Sequence, residues 1–183
     1  MTTPYDKYLQ EVLIDEATLN ARIVELGRQI SADYADCDDL LLICILKGGV
    51  MFLTDLTRYI DVPHVIDFMA VSSYGVGARE STKTVRIDMD VNAALRDKHV
   101  LIIEDIIDSG YTLDFVINFL QSRKPESLKI CTLLDKASRR EVNIPIAYTG
   151  FVIDDKFVFG YGLDLDEKFR NLPFIGVVNL DVL

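Results

Sequence analysis

The stretch that most restricts the fold is VLIIEDIIDSGYTL, residues 100–113. Aliphatic residues run straight into two adjacent carboxylates, Glu104 and Asp105, then two more aliphatics, then Asp108 and a small hydroxyl-rich turn. A continuous aliphatic run suits a central parallel strand covered on both faces. Such a strand cannot carry ionised carboxylates onward without partners, because unpaired burial of charge is expensive. The acids are therefore expected at the carboxyl end of a strand over 100–104, where ligands bind in open parallel sheets. Asp108, Ser109, Gly110, Tyr111 and Thr112 then make the turn into a helix striped by Leu113, Val116, Ile117 and Leu120. Gly110 permits a positive-φ backbone, and Ser109 and Thr112 set hydroxyls beside free helix N–H groups. That is an anion cradle. Neighbouring acids ahead of it can accept hydrogen bonds from a vicinal diol, so a monophosphate carried on a ribose fits both halves.

The rest of the chain reads as strands alternating with helices. Leu19, Ile23, Leu26 and Ile30 recur at helical steps behind a possible Asp15 cap. LLLICIL is a buried-strand run closed by Lys47-Gly48-Gly49, and Leu53, Leu56 and Ile60 mark one face of a short helix. Strands are expected over 65–71, 84–87 and 128–134, with SSYGVGARESTK a polar loop long enough to act as a lid. YTGFVI, FVFGYG and FIGVVNL read as short strands. The expected class is α/β: a mostly parallel central sheet flanked by helices, with a small hood of short strands from the chain ends. A single domain over 1–183 is expected, with about 150–183 contributing to the hood.

Composition narrows the function. The net charge is -10, from 29 acidic against 19 basic residues. A surface that acidic disfavours phosphate backbones, so no nucleic-acid partner is expected. A small phosphorylated ligand is still admissible, since local dipoles and cations override net charge. Cys44 and Cys131 sit in apolar runs and read as reduced core residues, and Cys37 completes no Cys-x-x-Cys pair. His64 and His99 are far apart, which argues against zinc and against a Ser-His-Asp hydrolase. The start, MTTPYDKYLQ, lacks the regions of a signal peptide, and the longest aliphatic block, residues 40–46, is too short to cross a bilayer. A cytoplasmic protein without membrane partners is the expectation.

EDIIDSGYT resembles the phosphoribosyl diphosphate motif of the purine phosphoribosyltransferases. LKGG, SSYG, the lysine of LLDKAS, and KFVFGYGLDLDEKFRNL follow in the order found in the 6-oxopurine branch, the hypoxanthine-guanine phosphoribosyltransferases. The resemblance covers most of the chain. Tyr111 stands where relatives often carry lysine; the family's cradle relies on backbone N–H groups and hydroxyls, so the change bears on phosphate affinity rather than on the motif.

What the resemblance implies is specific. Glu104, Asp105, Asp108, Ser109, Gly110, Tyr111 and Thr112 would bind the ribose phosphate of phosphoribosyl diphosphate, with Asp108 the general base at purine N7. Lys47, Gly48, Ser73, Tyr74 and Arg170 would address pyrophosphate, the Leu46–Lys47 peptide often having unusual geometry. Lys136, Phe157, Val158 and Asp164 would bind the purine. Lysine offers only donors, so Lys136 suits a 6-oxo acceptor and conflicts with the 6-amino group of adenine. Glu104, Asp105 and Asp164 would help hold Mg2+. Asp166 and Glu167 are left as solvated charge. The implied substrates are phosphoribosyl diphosphate with hypoxanthine or guanine, and the implied assembly is a homodimer or homotetramer. Two other readings share part of the pattern: a ligand-sensing regulator on the same fold, which would need a basic nucleic-acid face, and an adenine or orotate transferase, which should not show the Lys136 and Phe157 arrangement.

Overall fold

The structure, a computed structural model, describes residues 3–74 and 84–182. Strand β1 (Leu9–Ile14) leads into helix α1 (Glu16–Asp33). Asp15 caps that helix by accepting from the Thr18 N–H at 2.8 Å, and Leu19, Ile23, Leu26 and Ile30 are all fully buried beneath it. Strand β2 (Leu40–Leu46) precedes α2 (Val50–Leu56), which ends earlier than the Leu53–Leu56–Ile60 stripe implies. The chain tightens into a 3-10 turn over Thr57–Tyr59, and Ile60 is buried from extended backbone.

Strands β3 (His64–Tyr74), β4 (Thr84–Met89) and β5 (His99–Ile107) follow, then α3 (Tyr111–Gln121), β6 (Ser127–Asp135), β7 (Tyr148–Val152), β8 (Val158–Phe159) and β9 (Ile175–Val178). The main sheet has the order β4-β3-β2-β5-β6-β7, parallel except for the antiparallel edge strand β4. A second, three-stranded antiparallel sheet, β1-β9-β8, joins the chain's two ends. This is the expected hood, with two adjustments. β7 belongs to the main sheet, so the hood is built from later residues than 150, and β1, unnamed in the sequence reading, is one of its strands.

Successive residues of a strand point to opposite faces. Leu40, Leu42 and Cys44 of β2 therefore pack with α1 and α2 on one side. Leu41, Ile43 and Ile45 pack with Leu113, Val116 and Leu120 of α3 on the other. Phe159, Leu165, Leu172 and Val178 form a separate small core under the hood. The thiols of Cys44 and Cys131 are free and buried, and burial pushes Cys44 up to about 12 and Cys131 higher still, which makes both inert. Among the described residues no helix is long and apolar enough to cross a membrane.

Two of the strand boundaries that differ from expectation bear on the site. β3 continues through Ser73 and Tyr74, paired with Val85 and Thr84, so these two lie in a strand rather than opening a loop; the remainder of the expected lid, 75–83, lies outside the described residues. β5 does not stop at the first acid but runs on to Ile107. Its pairing with β2 ends at Ile103, whereas its pairing with β6 continues to Ile107. Glu104 and Asp105 thus sit where one neighbouring strand has turned away, mostly but not fully covered.

Candidate active site

Three loops meet at the carboxyl ends of β2, β5 and β6. The first is Lys47-Gly48-Gly49, entered through a cis peptide between Leu46 and Lys47. A Cβ on Gly48 would stand 1.6 Å from Asp105 Oδ2, and a Cβ on Gly162 would stand 2.1 Å from the Gly48 carbonyl oxygen. Side-chain-free backbone is therefore required on both sides of a stack that ties β5, the β2 loop and the C-terminal segment together. Gly162 also has φ +96°, which favours glycine.

The second loop is the turn from β5 into α3. Gly110 caps the helix with φ 94°, leaving the first N–H groups of α3 unmet by a side chain. The turn is pinned from outside. The Ser109 carbonyl accepts from Glu141 N and Val142 N at 3.0 and 3.1 Å, and Arg140 donates to the Asp108 carbonyl at 3.0 Å. Glu104, Asp105, Asp108, Ser109, Gly110 and Thr112 line one cavity of about 240 Å³. Tyr111 points elsewhere, donating its hydroxyl to Glu141 at 3.0 Å. Burial raises the affinity of both Glu104 and Asp105 for protons, and the charge of Asp105 raises Glu104 further. Hydrogen bonds and the Arg170 cation partly offset the burial at Asp105.

The third loop begins at Lys136, whose backbone N–H donates to the Ile107 carbonyl at 3.0 Å and so fixes it beside the end of β5. Its side chain is only 10% exposed, with its ammonium 3.5 Å from Asp155. Arg139 bridges Asp108 at 2.8 Å and Asp155 at 3.0 Å. Phe157 is 48% exposed, unlike its buried neighbour Val158, and its carbonyl is held by Val178 N at 2.8 Å.

The C-terminal acids and Arg170 form a connected group. Arg170 donates to the Gly162 carbonyl and to Asp164 Oδ1, both at 2.8 Å, and Asp164 Oδ2 accepts from Glu167 N at 2.8 Å. Glu167 is exposed, as expected of solvated charge, and it also pairs with Lys47 at 2.8 Å, whose ammonium holds its carboxyl below the usual range. Asp166 pairs with Lys168 at 3.4 Å. Glu104, Asp105 and Asp164 do not converge as one chelating set, since among the described residues no three His, Cys, Asp or Glu side chains form a metal cluster.

A sequence model of the phosphoribosyl transferase domain matches residues 14–168. The chain belongs to the phosphoribosyltransferase family. Among the proteins it resembles are hypoxanthine and hypoxanthine-guanine phosphoribosyltransferases. It is 52% identical over 175 residues to hypoxanthine phosphoribosyltransferase of Escherichia coli (strain K12), covering 95% of this chain and 98% of that protein. It is 47% identical to hypoxanthine-guanine phosphoribosyltransferase of Mycobacterium tuberculosis, covering 96% of this chain and 89% of that one. A crystal structure of hypoxanthine phosphoribosyltransferase from Staphylococcus aureus superposes with a TM-score of 0.93 at 46% identity, covering 100% and 98% of the two chains. The chain is a phosphoribosyltransferase with the family's fold, a mostly parallel sheet flanked by helices and a short antiparallel sheet.

The structure brings the β5–α3 residues, Gly48 and Lys136 to one end of the sheet and sets Asp164 and Arg170 against the Gly48 loop through Gly162. Arg139, Arg140, Asp155, Glu167 and Gly162 were not named from sequence as part of the site. The basic pair Arg139-Arg140, three and four residues after Lys136, was the available signal for two of them.

Proposed function

We propose that this phosphoribosyltransferase moves 5-phosphoribose from phosphoribosyl diphosphate to N9 of hypoxanthine or guanine, giving IMP or GMP and pyrophosphate, a purine-salvage step. The observation that carries the proposal is the placement of Lys136 against the end of β5, so that a donor for a 6-oxo group adjoins a phosphate cradle and paired acids. In this reading N9 attacks the anomeric carbon, the bond to pyrophosphate breaks, and Asp108 takes the proton leaving N7. Glu104 and Asp105 hold the ribose hydroxyls and face the positive charge that builds at the anomeric carbon. Ser109, Gly110, Tyr111 and Thr112 supply backbone N–H groups to the 5-phosphate, and Ser109 and Thr112 add their hydroxyls. Lys47, Gly48, Ser73, Tyr74 and Arg170 address pyrophosphate, and Phe157 stacks on the base beside Val158 and Asp164.

Magnesium suits such a site, because it usually takes one or two carboxylates and completes its shell with substrate oxygens and water. Either Asp164 or the Glu104–Asp105 pair would hold it, as separate sets rather than one cluster, and the ion would neutralise charge on the departing pyrophosphate. A single domain over 1–183, a cytoplasmic location and a homodimer or homotetramer complete the reading; the assembly rests on the resemblance alone. The test is pyrophosphate release with magnesium, phosphoribosyl diphosphate and each of hypoxanthine, guanine, xanthine and adenine. Product from hypoxanthine or guanine and none from adenine is expected, and product from adenine alone would overturn the reading.

A further inference from the structure

We infer that Asp155 is a positioning residue for purine recognition, acting through Lys136 and Arg139. One carboxylate serves both cations: Oδ1 faces Lys136 Nζ at 3.5 Å and Oδ2 accepts from Arg139 Nη1 at 3.0 Å. Arg139 carries the link onward, its Nε donating to Asp108 Oδ1 at 2.8 Å. The donor assigned to the 6-oxo group and the acceptor assigned to the N7 proton are therefore spaced by one continuous chain, Lys136–Asp155–Arg139–Asp108.

The backbone around Asp155 is fixed at both ends. Ile153 N donates to the Asp135 carbonyl at 2.9 Å, and the Phe157 carbonyl is held by Val178 N at 2.8 Å. Lys156 pins the same segment to β1 through Glu11 at 2.7 Å. Asp155 thus stands on a turn attached to the end of β6 on one side and to the hood on the other, two residues before the exposed Phe157 ring. It sets both cations relative to the surface on which a base would stack.

Charge argues for the same role. Lys136 and Arg139 would repel one another without an acid between them, and among the described residues Asp155 is the carboxylate paired with Lys136. The Lys136 side chain is 10% exposed, so loss of its counter-ion leaves a poorly hydrated ammonium that must turn to another acid. Arg139 is half exposed and flexible enough to place both ends of its fork on Asp108 once Asp155 no longer competes. The first change withdraws the 6-oxo donor, and the second covers the proton acceptor.

This inference rests on the proposed function, and the experiment separates the two. Wild type is assayed first with hypoxanthine; failure to release pyrophosphate overturns both. With wild type active, Asp155→Asn is expected to raise the KM for hypoxanthine by roughly tenfold or more, the scale of one charge-assisted hydrogen bond. The KM for phosphoribosyl diphosphate stays at its wild-type value, because Asp155 reaches the cradle only through the half-exposed Arg139. Asp155→Glu, which keeps the charge, restores most of the hypoxanthine KM. Asp155→Asn is also expected to lower kcat, because Arg139 then covers Asp108, and in an Arg139→Gln background that loss shrinks, as coupling through a shared partner requires. An unchanged hypoxanthine KM in Asp155→Asn, or equal rises in both KM values, overturns the role of Asp155 while leaving the function standing.

Discussion

Asp105 and Gly48 fit together only because Gly48 has no side chain. A Cβ there would sit 1.6 Å from the Asp105 carboxylate, and the Gly48 carbonyl is backed by Gly162 on its other side. The loop cannot step away, so Gly48→Ala must turn Asp105 out of place. Because Asp105 is assigned to the ribose, the substitution is expected to raise the KM for phosphoribosyl diphosphate by roughly tenfold or more, the scale of a lost charged hydrogen bond. Steady-state kinetics with each substrate varied in turn checks this, and an equal KM in mutant and wild type would detach Asp105 from that role.

Asp108 is exposed enough to meet a base, with 46% of its side chain accessible, and its backbone is clamped separately by Arg140. Removing the carboxylate should leave the cradle in place. Asp108→Ala is expected to lower kcat by about 10²–10⁴, the usual worth of positioned proton transfer. Binding of phosphoribosyl diphosphate, followed by calorimetry, should be retained. Wild-type turnover in the mutant removes Asp108 from the chemistry.

The sequence was most readable where the signal is local. The stripe of α1, the buried run of β2 and the turn after β5 each follow from residues within one or two helical turns of one another. What escaped depends on partners far along the chain. β1 is a strand because β9 pairs with it, Leu9 opposite Val178. Polar Ser73 and Tyr74 stay extended because β4 lies alongside. Arg139 becomes a site residue only when folding brings it to Asp108, 31 positions earlier, and to Asp155, 16 positions later. β5 runs through its acids because β2 and β6 end at different heights, and no local pattern encodes that difference.

Asp67 shows the same dependence and yields a stability test. It interrupts an apolar strand and is buried, 9% exposed. Burial alone would raise its pKa, but the N–H groups of Ala93, Phe68 and Asn92 together lower it below the ordinary value of 3.8. A carboxyl whose folded pKa is depressed stabilises fully above its unfolded value, about 3.9, and loses that contribution as pH falls through the folded value. Asp67→Asn should therefore cost about 1–3 kcal/mol at pH 7, as expected for charged hydrogen bonds made poor. The gap between mutant and wild type should close as pH drops below the unfolded value. Urea midpoints at pH 7 and in acid measure it, and a gap independent of pH would mean that the charge contributes nothing.

Lys136 allows selectivity to be tested apart from folding. Its backbone N–H, held by the Ile107 carbonyl, survives any side-chain change, and Asp155 keeps Arg139 as a partner. Lysine can only donate, whereas glutamine offers a carbonyl acceptor as well. In Lys136→Gln the donor to a 6-oxo purine weakens while a 6-amino group gains an acceptor. The value of kcat/KM for hypoxanthine is expected to fall by roughly 10- to 100-fold, the scale of one hydrogen bond to a charged group. Discrimination against adenine should narrow by more than that, because the substitution removes a donor-to-donor conflict at the same time. The KM for phosphoribosyl diphosphate should hold, since Lys136 lies outside the β5–α3 turn. The ratio of kcat/KM for hypoxanthine and adenine is the quantity to measure. If that ratio is the same in both enzymes, the 6-position is read by another group.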